Sequence, residues 1–508
     1  MDFPSRAVSV SAGGRSAWLL ALLLGLVLVG SALRFHKLGA DGLWSDELFT
    51  SSMVLQHPAD EGLASFRRIS VFEIRPEDSF WSAKGGEQSP PLFELFSKLS
   101  VACLGRTEFA LRFVSALSGV LFLVFLAVRA ARERDPLFRA GLVLTLLLSS
   151  LSPPLVEYAQ EGRAYGLGVA LTGVLCVLWF ERLRAGLLRA PLPRLPELAC
   201  MLLACHVHYN ALAFSGLLLL IYSYAALCTG RAREIARLAL VPLGCIPWVA
   251  LNAHTILFTS AGGVRWRDFT ATEALMGALR SILRLLGPSG VVLSLFLLWA
   301  LFGVQFVRER PAEKGRGLLG YALISLFLVN TLMVAMITMR SGMEHPRYYL
   351  FALPLVHLAL GLGFVALPMR FVLKLIPLGI FLAASGSEVR AYYAERNEGY
   401  REITRWLREQ VEADAQVVYT WGPNLAMYRF YLERYFDDDA DTRALAISSA
   451  GEAPALCARL GKARQIALIG HASHRPLLSA LYDACGTRYA LRSEKELRSV
   501  VGQVWEQR

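Results

Sequence analysis

The chain has 508 residues, 55% hydrophobic and 18% charged, with a mean hydropathy of +0.44 and a net charge of +11. Soluble globular proteins run about 45–50% apolar and about 25% charged, so this composition excludes a disordered chain, a collagen-like repeat and a small disulfide scaffold, and argues against a wholly soluble enzyme. Residues 389–508 hold 17 Lys+Arg and 16 Asp+Glu against 35 and 25 in residues 1–388, so +10 of the charge lies in the apolar part, where it orients membrane spans rather than binding nucleic acid.

A span needs about 20 mostly apolar residues. The first predicted span runs from Trp18 to about Leu33, behind Arg6 and Arg15. A cleavable signal peptide is the other reading, because Gly30-Ser31-Ala32 follows the apolar run; the many later spans favour a retained anchor. Further spans are predicted near 109–128, 138–153, 164–180, 196–206, 209–227, 237–255, 289–307, 317–338, 347–366 and 371–388, about eleven in all. With the N-terminus cytoplasmic, the inner loops carry 19 of the 35 basic residues, in separate clusters such as Arg129/Arg132/Arg134/Arg139 and Arg231/Arg233/Arg237. Short inner loops rich in arginine are what the positive-inside rule expects. Residues 90–104 are apolar but short and contain Glu94 and Lys98. Counting them as a span would put the later arginine clusters outside, so they are read as an interfacial or re-entrant helix within a first outer loop of residues 36–108.

The spans make residues 1–388 a membrane domain, and residues 389–508 change to ordinary globular patterning. Helices are predicted at 399–411, 424–435 and 474–485, and strands at 416–420 and 465–469, the alternation of a small α/β domain on the outer side. Six of the eight cysteines lie in or beside spans and read as small packing residues; Cys457 and Cys485 share the outer domain, and the sequence leaves open whether they pair.

Four polar motifs fall on the outer side by this parity: Asp46-Glu47 within Leu43–Phe49, Glu157–Tyr165 with Glu161 and Arg163, His206-Val207-His208-Tyr209-Asn210, and Glu344-His345-Pro346-Arg347-Tyr348-Tyr349. Charges at a membrane edge are costly unless solvated or used. The bland alternatives are a solvated carboxylate pair at Asp46/Glu47, a snorkelling span-end arginine at Arg163, and packing histidines at His206 and His208.

Four ordered segments resemble bacterial relatives of the dolichyl-phosphate-mannose protein mannosyltransferases, the glycosyltransferase family 39 and aminoarabinose-transferase group. They are LGADGLWSDELFT, SPPLFELFSKLSVACLGRTEFALRFVSALSG, LSPPLVEYAQEGRAYGLGVAL and PRYYLFALPLVHLALGLG, spread over residues 33–366. The resemblance implies a mainly α, polytopic GT-C fold. It also implies a sugar donor carried on a polyprenyl phosphate, and a first-loop carboxylate base that aligns with Asp46. Glu47 is its neighbour in positioning or an alternative base, and Glu161 either pairs with Arg163 or orients the acceptor. A phosphate leaving group needs cations and donors, for which Arg347, Lys84, Arg163, Tyr348 and His208 are the candidates. Gln88 and Ser89 stand where relatives carry a histidine. No cofactor or obligatory metal is predicted, since His206/His208 alone are a pair without a ligand set.

The expected activity is inverting sugar transfer to a hydroxyl of a protein, lipid A, a glycan or a glycolipid at the outer face of a bacterial inner membrane. The sugar and acceptor stay open. A polytopic transporter or lipid-linked sugar flippase is the rival class, against which stand the large polar outer loop and the lack of a repeat between halves. A catalytically dead scaffold is the second rival. Asp437-Asp438-Asp439 reads as a solvated acidic turn, Gly262-Gly263 as a flexible loop without a phosphate-binding motif, and Arg265-Trp266-Arg267 as an interfacial or donor-phosphate contact.

Overall fold

A computed structural model of the chain describes residues 12–56, 79–86, 89–185, 193–260, 270–306, 327–336, 345–366, 370–394, 399–420, 429–436, 444–447, 449–461 and 463–508. Asp437–Asp439, Gly262-Gly263 and Arg265–Arg267 lie outside these residues. Among the described residues, seven helices are long and apolar enough to cross a membrane: Ala17–Phe35, Glu108–Arg132, Tyr165–Arg184, Tyr209–Cys228, Arg233–Ala253, Pro346–Ala366 and Val372–Ala394. Shorter apolar helices at Pro136–Leu151, Leu195–Cys205 and Phe327–Met336 fall on three more of the expected spans. Ala271–Phe306 covers residues 289–306 of the expected 289–307 run and breaks at Gly287, whose φ of 61° is left-handed and precedes Pro288.

Helix α1 (Ala12–Phe35) leads into the segment between the first two long apolar helices. There α2 (Ser45–Gln56), α3 (Phe80–Gly86) and α4 (Leu92–Leu104) follow, with α2 packed on α3 and α4. Within residues 90–104, Leu92–Leu104 form a short helix of 13 residues, which is about 20 Å and too short to span. Helix α5 (Glu108–Arg132) starts where the Thr107 hydroxyl accepts the Ala110 N–H at 3.2 Å. Helix α6 (Pro136–Leu151) starts behind the Asp135 carboxylate cap, with proline in its first turn. Arg34 joins α1 to α6: its guanidinium is buried and donates to the carbonyls of Gly30, Ser149 and Ser150 at 2.9, 2.9 and 3.3 Å. Backbone carbonyls are the partners that make a buried arginine tolerable in a membrane.

The short α7 (Pro153–Glu157) leads by a turn to α8 (Tyr165–Arg184). Then follow α9 (Leu195–Cys205), α10 (Tyr209–Cys228), α11 (Ala232–Leu238), α12 (Leu240–Ser260), α13 (Ala271–Phe306) and α14 (Phe327–Met336). A 3₁₀ turn at Pro346–Ala352 opens α15 (Leu353–Ala366), and α16 (Phe371–Ala394) runs out towards the last domain. Helices α6 and α15 approach through glycine. A Cβ on Gly361 would lie 2.5 Å from Thr145 Oγ1 and 2.6 Å from the Gly141 carbonyl. Close backbone approach through small residues is the usual way membrane helices gain packing energy.

The C-terminal domain is a mixed five-stranded sheet of order β2-β1-β3-β5-β4. Strands β1 (Gln416–Thr420), β2 (Ala444–Ile447) and β3 (Gln465–His471) are parallel, and β4 (Tyr489–Leu497) and β5 (Val500–Gln507) add an antiparallel edge. Both faces are covered, as the alternation along β1 requires: Val417 and Tyr419 join one apolar cluster and Val418 the other. The first cluster lies under α17 (Tyr400–Gln410) and α18 (Arg429–Phe436); the second lies under α19 (Ala453–Arg459) and α20 (Arg475–Cys485). A disulfide joins Cys457 to Cys485 across α19 and α20, with Cα atoms 5.6 Å apart. The first cluster does not stop at the domain: Leu43, Leu48, Val54 and Leu111 of the membrane part belong to it.

Gly361→Val is expected to lower the melting temperature in detergent by several degrees, because its branched side chain meets backbone that cannot move aside. A thermal melt with no change would show that α6 and α15 can separate at no cost.

Candidate active site

The sequence places two carboxylates in the first turn of α2, where the positive end of the helix dipole favours them. Successive helical residues point about 100° apart, so the two meet different surroundings. Glu47 points inward and is 1% exposed. Its Oε1 accepts from Arg112 Nε at 2.7 Å and from the Gly162 N–H at 2.6 Å. Its Oε2 accepts from Arg112 Nη2 at 2.7 Å and from the Trp44 N–H at 3.3 Å. The Glu47 carboxylate is therefore saturated with donors and ties α2, α5 and the 158–164 turn together.

Asp46 faces the other way. Its Oδ2 accepts from Arg347 Nη1 at 2.7 Å, and its side chain keeps 30% exposure. The two residues are 301 apart in sequence. Arg347 belongs to the 3₁₀ turn before α15, opened by Pro346. Its guanidinium carbon lies 5.7 Å from the ring centroids of Trp44 and Tyr165 and 5.9 Å from that of Tyr348. An arginine walled by aromatics keeps its charge where water is scarce. Arg347 Nε, Trp44 Nε1 and Glu161 Oε2 are buried with no hydrogen-bond partner among the described residues. Buried polar atoms in this state call for a partner, and here three gather beside the Asp46–Arg347 pair.

Arg163 lies next to them. Its Nη1 donates to the Asp46 carbonyl at 3.2 Å and to Thr50 Oγ1 at 2.8 Å, while its own carbonyl accepts from Ser115 Oγ at 2.7 Å. Burial, then the nearby carboxylates of Glu157 and Glu47, push the Glu161 carboxyl well above the usual carboxylate range, against an opposing pull from Arg347.

The two nearest histidines act as caps. His208 Nδ1 accepts the Asn210 N–H at 3.1 Å at the start of α10, and His345 Nδ1 accepts the Arg347 N–H at 3.3 Å at the 3₁₀ turn. A cap of this kind needs an unprotonated Nδ1. Burial, followed by Arg163 and Arg347, lowers His208 to about 3. Burial and then Arg347 lower His345 to about 4. The His208 ring stacks on Phe351 at 4.7 Å, and Asn210 Nδ2 donates to the Tyr348 carbonyl at 3.0 Å, which fixes the turn that bears Arg347.

Lys84 stands apart from this group in its contacts. It is fully buried, 3.2 Å from Glu94 Oε1 and 2.9 Å from Ser89 Oγ. Asp46, Arg163, Arg347, Tyr348, Glu161 and His208 thus surround one place, with Glu47 as an inner anchor and Lys84 held in a separate pair. Sequence reading missed Arg112, Trp44 and Gly162 as parts of the site; Arg112 sits inside an apolar helix like any span-end arginine, and nothing in the chain pairs it with Glu47. Among the described residues no three His, Cys, Asp or Glu side chains cluster as metal ligands. An apolar groove of about 460 Å³ lined by Leu19, Leu22, Leu26, Pro136, Val143 and Leu147 touches none of the candidate residues.

No protein-family model matches the chain, and no curated protein matches it. Solved structures do. ArnT from Cupriavidus metallidurans in the apo state is 13% identical, with a TM-score of 0.58 over 97% of this chain and 98% of that one. ArnT bound to undecaprenyl phosphate is 14% identical, with a TM-score of 0.53 over 97% and 98%. The archaeal oligosaccharyltransferase AglB from Archaeoglobus fulgidus, in complex with an inhibitory peptide and a dolichol-phosphate, is 11% identical, with a TM-score of 0.52 over 97% and 74%. The chain shares their fold, the GT-C fold, over nearly its whole length.

Two outcomes separate the carboxylates. Glu47→Ala leaves Arg112 buried without its partner and is expected to cost about 3–5 kcal/mol of stability, whereas Asp46→Ala, on the open side, should cost far less. Thermal or denaturant melts in detergent decide, and equal losses would contradict the division. Glu161 supplies a pH test. Its raised pKa means its contribution to stability is full on the acid side and lost as pH rises through the folded value. Glu161→Gln, which mimics the protonated acid, should flatten that alkaline fall in melting temperature; parallel curves for both proteins would refute it.

Proposed function

We propose that this protein is a glycosyltransferase that takes a sugar from a polyprenyl phosphate and gives it to an acceptor hydroxyl, at the outer face of a bacterial inner membrane. One observation carries the reading: a part-exposed carboxylate, Asp46, and an aromatic-walled arginine, Arg347, are brought within 2.7 Å from opposite ends of the membrane part. A base and an anion-binding cation side by side are what transfer from a phosphate leaving group requires. The arginine clusters of the inner loops support a cytoplasmic N-terminus and an outer C-terminal domain. The shared fold supports the reading too, since one neighbour was solved with undecaprenyl phosphate and another with a dolichol-phosphate and a peptide.

In this mechanism the acceptor O–H gives its proton to Asp46 as its oxygen forms a bond to the anomeric carbon. The carbon–oxygen bond to phosphate breaks from the opposite face, so the configuration inverts. The departing phosphate takes the electron pair, and Arg347 neutralises it, with the Arg347 Nε–H and Trp44 Nε1–H, which have no partner among the described residues, as donors. Arg163 adds positive potential while holding the backbone of Asp46. Tyr348 walls the phosphate position, and neutral His208 shapes its floor against Phe351. Lys84, bonded to Glu94 and Ser89, would contact the donor by exchanging those bonds.

Purified protein is incubated with labelled polyprenyl-phosphate sugars and envelope extract. Asp46→Asn should lower transfer by about 10²–10⁴-fold with an unchanged melt, the usual value of a general base. Arg347→Lys should raise the donor KM about tenfold, because an ammonium loses the forked contact and the aromatic fit. Full transfer by folded Asp46→Asn would remove Asp46 from the mechanism.

A further inference from the structure

The segment between α1 and α2 is short, residues 36–44, and it decides where Asp46 stands. Its backbone is held from two sides. From the membrane part, Arg112 donates to the carbonyls of Leu38, Asp41 and Gly42 at 3.0, 2.9 and 2.7 Å. From the C-terminal domain, Arg401 Nη2 donates to the Ala40 carbonyl at 2.5 Å, and the Tyr431 hydroxyl accepts the Leu43 N–H at 2.5 Å. Between these two contacts lies Gly42. A Cβ there would sit 2.8 Å from the Arg401 Cβ and 3.0 Å from the Tyr431 hydroxyl, so the two domains meet at this residue without room for a side chain.

The Tyr431 hydroxyl also donates to Glu108 Oε1 at 3.5 Å. Glu108 is buried at the first residue of α5, and its Oε1 and Oε2 accept from Arg434 at 3.0 and 2.9 Å, with Arg401 3.4 Å from Oε1. One oxygen thus accepts from the loop and donates to a carboxylate, a double role that a hydroxyl fills and a phenyl ring cannot. Burial, followed by the Glu108 charge, holds the Tyr431 phenol well above its ordinary value, so it keeps its proton. Helices α2 and α18 also share the apolar cluster that contains Leu48 and Leu432.

We infer that Tyr431 is a positioning residue: through the Leu43 N–H and the Glu108–Arg434 pair, the C-terminal domain sets the height and angle of α2 and so of the Asp46 carboxylate. The inference rests on the reading of Asp46 as the base. It makes the C-terminal domain a part of the reaction geometry, beyond any role as a cover. Misplacing a catalytic group by a fraction of an ångström lowers the rate without changing what the donor binds.

The test is Tyr431→Phe in the full-length protein in detergent, with two readouts. Amide exchange of peptides covering residues 40–48 should rise about tenfold, with exchange along α8 and α10 unchanged. Transfer should show a kcat about tenfold lower with a donor KM within twofold of wild type. Gly42→Ala, which presses Arg401 and Tyr431 away by tenths of an ångström, should act in the same direction if Tyr431→Phe melts early. Arg475→Ala, on an exposed ion pair with Glu496, should change neither readout. Unchanged exchange at 40–48, an unchanged kcat in folded Tyr431→Phe, or a raised KM at full kcat would each overturn the inference. A wild-type protein without transfer would instead overturn the proposed function, and amide exchange would still decide whether Tyr431 holds the loop.

Discussion

The guanidinium of Arg112 is 2% exposed, and each of its five N–H groups has an acceptor: both oxygens of Glu47 and the carbonyls of Leu38, Asp41 and Gly42. A buried ion pair gains little over well-packed apolar residues, because desolvation offsets the attraction. What it supplies here is geometry. Arg112 binds the backbone of residues 38–42 to α5, and Glu47 passes the same constraint to the 158–164 turn through the Gly162 N–H. Gly162 has little room to be otherwise, as its Cβ would lie 3.3 Å from Glu47 Oε1. Elements remote in sequence are fixed by one satisfied charge pair, and Asp46, Glu161 and Arg163 are carried on them.

The neighbouring position then does the opposite work. Asp46 is one helical step from Glu47 but opens to a part-exposed place rimmed by Trp44, Tyr165, Tyr348 and Arg347. Inward, a carboxylate is consumed by structure; outward, it meets Arg347 and keeps a part-exposed face. The histidines follow the same division. His208 and His345 each spend Nδ1 on a backbone N–H, and burial beside Arg163 and Arg347 keeps them neutral, so they hold helix starts and leave the charge at the site to arginine and carboxylate.

The C-terminal domain is joined to this frame by two kinds of force. Apolar contact runs unbroken from Tyr400, Ile403 and Tyr431 to Leu43, Leu48 and Leu111. Charge adds direction, since Glu108 receives Arg401 and Arg434, and Arg106 reaches Glu433 at 3.2 Å. Apolar burial gives adhesion without orientation, whereas hydrogen-bonded ion pairs fix one relative pose.

Much of the architecture was legible in the chain. Long apolar runs had to become helices across a membrane, because a backbone in lipid satisfies its own hydrogen bonds. The short helix at 90–104 was readable from its length and its charges, and β1 and β3 from their apolar runs between polar turns. Strands β4 and β5 were not: β4 carries Arg492, Glu494, Lys495 and Glu496, the composition of a solvated edge, and only the pairing of β5 on β3 and of β4 on β5 reveals the two. The candidate residues were legible as a set, since polar groups at a membrane edge are scarce and costly. Their division of labour was not. Asp46 and Glu47 are adjacent and chemically alike, and periodicity assigns neither a partner. That Glu47 meets Arg112, 65 residues on, and Asp46 meets Arg347, 301 residues on, depends on which helices pack side by side. The pairing of Cys457 with Cys485 was likewise settled by α19 and α20 lying together on one face of the sheet. Sequence determines what each segment must bury and which charges it must place; only the packed structure decides which of those charges neutralise each other and which remain free to act.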